Sequence, residues 1–166
     1  MPFHNNICPV PFDQQPLNEY KALKKSPLFE FSTMEFPKFI TRLLVIFFII
    51  VGFGISVSFL SANTNKISLN IVSYNILFSL LSLEAMLIRL YLGWSYVLKR
   101  LSSASVFYEE SGWYDGQLWI KNVDMLTQDR LVGIYQVQPL LIRIQRLLII
   151  ISILSILLML SLLLIY

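Results

Sequence analysis

Three long apolar runs divide this chain. They lie within residues 39–60, 69–98 and 140–166. About 20 apolar residues in helix cross about 30 Å of hydrocarbon, so each run predicts a membrane span. Their most apolar parts are Ile40–Leu60, Ile71–Leu92 and Leu147–Leu164. The second predicts a helix that runs on toward Leu101, with Tyr91, Trp94 and Tyr96 as an interfacial belt at its exit. The polar stretch Ser61–Ser68 is a short turn between the first two spans.

Outside the spans the pattern changes. Residues 1–38 hold six of the seven prolines, which predicts a mostly extended or turning tail. One short helix fits Leu17–Lys25, with Pro16 at its first turn and Pro27 beyond it. Residues 102–138 form the second loop. Val106–Glu110 and Gln117–Lys121 read as strands around the turn dipeptide Asp115-Gly116, a small hairpin. Leu126–Gln138 reads as an amphipathic helix, with Leu126, Leu131, Ile134 and Tyr135 near one face and Asp129 and Arg130 off it. Pro139 either kinks the chain there or opens the third span. The expected fold is mainly α and integral to a membrane: three transmembrane helices with a small hairpin and an amphipathic helix.

Charge sets the orientation. The tail through Arg42 carries five cations, the first loop only Lys66, the second loop from Lys99 to Arg146 six, and the C-terminus none. Three spans put tail and second loop on one side, and both are cation-rich, so parity and the positive-inside rule agree. The net charge is only +3 and no cationic run exists, so nucleic acid is not an expected partner; the lipid bilayer is. A hydrophobic fraction of 56% and a mean hydropathy of +0.67 fit that membrane class. The first apolar run starts too far in for a secretory signal, so the chain reads as mature from its first residues.

Candidate chemistry is sparse. One cysteine, Cys8, and one histidine, His4, exclude an internal disulfide and a Cys/His zinc cluster. No phosphate loop, dinucleotide fingerprint or nucleophile elbow occurs, so an enzyme is not expected and no cofactor is specified. Cys8-Pro9 is a two-residue match to haem-responsive Cys-Pro elements. Glu84 is the outstanding residue, because a carboxylate within a span costs roughly 2.5–3.5 kcal/mol on insertion scales. Arg89 lies about 140° around the same helix, so a partner on another helix is expected, with Arg42, Arg143 and Arg146 near the same membrane face. Gly52, Gly54, Ser56 and Ser58 offer two small-xxx-small pairs for helix approach. Trp113, Tyr114 and Trp119 crowd the second loop among Glu109, Glu110, Asp115, Asp124 and Asp129, which read as a solvated acidic face.

Three stretches resemble a known family: CPVPFDQQPLNEY at 8–20, GWYDGQLWIK at 112–121 and DRLVGIYQVQPLLIR at 129–143. They are similar to the hypothetical chloroplast reading frame thirty-six membrane proteins of plastids and cyanobacteria. The resemblance implies a thylakoid or inner-envelope membrane, plastid encoding, and a link to photosynthetic acclimation and iron supply. It carries over no catalytic residue. Its motif positions Gln14, Gln15, Asn18, Glu19, Trp113, Tyr114, Asp115, Trp119 and Arg130 fall on the tail and second loop, one common surface for a partner. The expected function is a non-enzymatic accessory or assembly factor that binds a membrane protein complex. The alternative is a small oligomeric transporter or ion-handling subunit using Glu84.

Overall fold

The computed structural model describes residues 9–62, 69–109 and 116–165. His4, Cys8, Glu110, Trp113, Tyr114 and Asp115 lie outside them. Six α-helices and one hairpin are described: α1 Pro16–Lys25, α2 Pro27–Glu30, α3 Phe36–Ala62, α4 Leu69–Ser102, β1 Ser105–Glu109, β2 Gly116–Ile120, α5 Val123–Val132 and α6 Gln138–Ile165. Three stretches are long and apolar enough to cross a bilayer: α3, α4, and α5 with α6 as one continuous helix.

The short helix expected at Leu17–Lys25 is α1, and the rest of the tail, expected to be extended or turning, adds a second helix, α2. Pro16 and Pro27 each sit in the first turn of a helix, where the missing N–H has no intrahelical partner to lose and φ is already set. Ser26 breaks the chain between them in an extended conformation. Short 3-10 turns at Phe12–Gln14 and Phe31–Thr33 complete a folded tail.

Pro139 falls in the first turn of α6, and α5 and α6 run on as one long helix. A π turn, Gly133–Val137, joins α5 to α6, and the N–H of Gln138 donates to the carbonyl of Gly133. A proline ring collides with the carbonyl four residues earlier, and the wider turn just before Pro139 relieves that collision.

The hairpin is antiparallel, with Ser105 opposite Ile120 and Tyr108 opposite Gln117. Its inner face is buried against Val10 of the tail through Val106 and Tyr108, with Trp119 alongside.

The core sits at one end of the molecule. Tyr20, Phe29, Phe31 and Phe39 of the tail and α3 meet Leu87, Leu90, Trp94 and Leu101 of α4 and Val137, Leu141 and Ile144 of the third long helix. Trp94 is fully buried, with Phe29 edge-on at 5.9 Å and Tyr20 tilted at 6.0 Å. Tail, hairpin and α5 thus gather round the last turns of α4 as an ordered head.

Candidate functional site

Arg100 is the hub of the head. It lies in the last turn of α4 and donates to Glu19 Oε1 at 2.5 Å, to the Tyr96 hydroxyl at 3.0 Å, to the Gln14 carbonyl at 3.1 Å and to the Phe107 carbonyl at 3.3 Å. One guanidinium therefore ties tail, α4 and hairpin together, using the planar fork that lysine lacks. Burial pushes the Glu19 carboxyl above its ordinary 4.5, and the charge of Arg100 pulls the other way. The second carboxylate oxygen of Glu19 is buried without a hydrogen bond among the described residues.

Lys121 does a parallel task beneath the helix. Its ammonium donates to the carbonyls of Arg100 at 2.9 Å and Leu101 at 3.2 Å, and lies 2.7 Å from Asp129 Oδ2. The last carbonyls of a helix have no partner within it, and a cation there also meets the negative end of the helix dipole. Lys121 and Asp129 are 5% and 3% exposed, so Asp129 is not part of a solvated acidic face. It is the charge that keeps a buried lysine neutralised.

Three further bonds shape and seat the tail. The Trp94 indole donates to Ser32 Oγ at 2.9 Å, and Ser32 donates to the Phe29 carbonyl at 2.6 Å. Tyr20 donates its hydroxyl proton to Gln136 Oε1 at 2.7 Å, reaching into the π turn. Gly93 makes the approach of α2 possible, because a Cβ there would lie 2.5 Å from the Phe29 ring.

α5 is turned opposite to its expected orientation. Asp129, Gly133 and Val137 face inward. Leu131, Ile134 and Tyr135 face outward, 55%, 55% and 74% exposed. The cause is local: Asp129 must reach Lys121, and Gly133 lies where a Cβ would meet Leu98 at 3.2 Å, so α5 crosses α4 on its small and acidic side.

The motif residues divide accordingly. Gln15 donates to the Val10 carbonyl at 3.3 Å, and Asn18 to the Phe12 carbonyl at 2.9 Å. With Glu19 these residues shape and anchor the tail. Trp119 packs beside the buried Val10, Val106 and Tyr108. Arg130 alone among the described motif residues is exposed. A cleft of about 770 Å³ opens between α4 and the hairpin, lined by Gln14, Tyr96, Lys99, Arg100, Phe107 and Tyr108 among others.

Within the spans, Glu84 meets Ser155 of α6, whose hydroxyl lies 3.5 Å from Oε2. No ion pair among the described residues joins it to Arg42, Arg89, Arg143 or Arg146. Of the two small-residue pairs, Gly54 and Ser58 meet Asn75 of α4, which donates to Ser58 Oγ at 3.2 Å, whereas nothing lies within 4 Å of a Cβ built on Gly52. No group of three His, Cys, Asp or Glu among the described residues is placed to hold a metal.

Sequence reasoning missed Arg100, Lys121, Ser32 and Gln136. The only signal for Arg100 was its place at the end of a long helix, where it served as topology charge.

The family model described as CGLD27-like, Conserved in the green lineage and diatoms 27, matches residues 8–150. The chain is 47% identical over 146 residues to the uncharacterized protein ycf36 of Porphyra purpurea, covering 87% of this chain and 88% of that one. It is 44% identical over 144 residues to the ycf36 protein of Cyanophora paradoxa, covering 84% and 88%. Protein Conserved in the green lineage and diatoms 27, chloroplastic, of Arabidopsis thaliana is 40% identical over 136 residues, 80% of this chain and 41% of that one. No solved structure matches.

Proposed function

The chain belongs to the CGLD27-like family, and from that membership we propose that it is a non-enzymatic accessory protein of a plastid membrane that docks a membrane protein complex through its head. The single observation that carries this reading is the outward apolar side of α5 and of the π turn that continues it. Leu131, Ile134 and Tyr135 are exposed beside Arg130 on a helix whose acidic side is locked inward. They stand about 16–22 Å along the helix axis from Arg146. Lipid headgroups reach only about 5–8 Å beyond the hydrocarbon, so this face meets water or protein. Apolar and aromatic side chains with an arginine alongside are the composition of an interface core.

Support for the compartment comes from the chloroplastic relative and the ycf36 relatives. In this reading the head faces the stroma, and the membrane is the thylakoid or the inner envelope. The partner is a photosynthetic complex or one of its assembly intermediates.

The test replaces Leu131, Ile134 and Tyr135 together by serine. In gently solubilised native membranes the wild-type chain should migrate with a larger assembly, and the triple variant should migrate alone at normal abundance. Wild-type migration only as a free small protein, or an unchanged assembly in the variant, would refute the docking role.

A further inference from the structure

We propose that Arg42, Arg89, Arg143 and Arg146 form a girdle that binds the anionic headgroups of the head-side leaflet. The level of each follows from contacts between the long helices. Asn75 of α4 meets Gly54 and Ser58 of α3, which sets Arg42 level with Arg89 to within about a turn. Gly133 approaches Leu98 and Leu101, and Ser155 approaches Glu84, which sets Arg143 and Arg146 at that level within about a turn or two.

From this level each long helix continues for one bilayer core. Arg42 to Ala62, Arg89 to Leu69 and Arg146 to Ile165 each span about 28–30 Å at the helical rise, which matches a hydrocarbon thickness of about 30 Å. The segments between carry no charge except Glu84. The four arginines therefore mark the hydrocarbon boundary on the head side. No described arginine or lysine stands at the opposite helix ends.

All four are exposed, and none joins an ion pair among the described residues. They fan outward: Arg146 and Arg89 each lie about 200° from the buried Ile144 and Leu87, and Arg42 about 100° from the buried Leu43. A protein partner would cover one flank. Four guanidiniums spread round the bundle at one depth fit a ring of lipids. Arginine holds a phosphate or sulfonate through paired N–H donors, and its stem lies along apolar surface while its head reaches the interface. The girdle is separate from the α5 face, which stands farther out along the helix.

The test is native mass spectrometry of the full-length chain released from nanodiscs of equal phosphatidylglycerol and phosphatidylcholine. The wild type should retain phosphatidylglycerol preferentially. Each Arg→Gln change should lower that preference about fivefold at its site, and the fourfold Gln variant should retain both lipids equally. The fourfold Arg→Lys variant should keep much of the preference, which separates lost charge from misfolding. Lys99→Gln should change nothing, because Lys99 stands about 15 Å beyond Arg89 along α4. Equal retention of both lipids by the wild type, undiminished preference in the fourfold Gln variant, or an equal loss in Lys99→Gln would overturn the girdle. So would release of a protein rather than a lipid from native membranes by the Arg→Gln changes.

Discussion

The two ends of α4 are built differently. From Ser79 to Leu101 the helix buries eight residues, Trp94 among them; from Leu69 to Phe78 it buries none. The head end is wrapped by tail, hairpin and α5, and closed by Arg100 and Lys121. Among the described residues the far end makes one polar contact with α3, Asn75 with Ser58 beside Gly54. Part of the difference follows from the solvent. Beyond the level of Arg89, where water is within reach, burying Leu90, Trp94, Val97 and Leu101 drives association, whereas Ser79, Leu80, Leu83 and Leu87 are packed within the hydrocarbon. In lipid there is no such drive, so packing of small residues and a few interhelical hydrogen bonds must suffice. Rigidity is therefore expected in the head, and changes there should cost most.

The largest effect is expected at the buried ion pair. Lys121→Ala leaves Asp129 charged and enclosed and strips two helix-terminal carbonyls of their donor. Losing one partner of a buried pair costs about 3–5 kcal/mol. Thermal unfolding in detergent and protease sensitivity of α5 should report it. Lys121→Met with Asp129→Leu should recover most of the loss. If the single change is silent, the lysine does not hold the head closed.

Next comes Gly93. An added methyl group would strike the Phe29 ring, which is held edge-on against Trp94 and has little room to swing. Overpacking of this kind costs about 1–3 kcal/mol, more than the helix propensity that alanine gains. Gly93→Ala should loosen the tail and speed its cleavage. Gly52→Ala, with open space around it, should be neutral or slightly stabilising. Equal behaviour of the two glycines would break the contrast between the ends.

At the far end the effect should be smaller. Asn75→Val removes the interhelical bond to Ser58, and such bonds within membranes average about 0.6 kcal/mol. A loss there as large as that at Lys121 would mean that the span region, not the head, dominates stability.

Which features were legible in the sequence follows the same division. Three apolar runs of bilayer length announce three long helices, because length and hydropathy are local properties. The hairpin was legible too, displaced by one residue, since its strands and turn are adjacent. Hidden features depend on distant partners. Asp129 and Leu131 sit on opposite sides of α5, and only the position of Lys121 under α4 decides which turns inward. Glu19 and Arg100 are 81 residues apart, so nothing local marks them as a pair. Pro139 does mark the first turn of α6, but the π turn that joins it to α5 cannot be read from periodicity. Glu84 drew attention as a costly charge, but its observed neighbour is the hydroxyl of Ser155, which no charge-matching rule would select.

The smallest effect is a pH dependence, and its sign is specific. Burial raises the Glu19 carboxyl above 4.5 in the folded chain, with Arg100 only partly opposing. A carboxylate whose folded value is raised makes the native state bind more protons than the unfolded state between the two values. Its contribution to stability is fully present below the unfolded value and is lost as pH rises through the folded one. Docking of the tail should therefore weaken slightly as pH climbs from about 4.5 through the raised value, then stay level. Glu19→Gln should flatten that slope and leave the Tyr20 and Trp94 contacts in place. Hydrogen exchange of α1 across this range, in both proteins, reads the difference. A slope of opposite sign in the wild type would mean that the attraction of Arg100 outweighs the cost of burial.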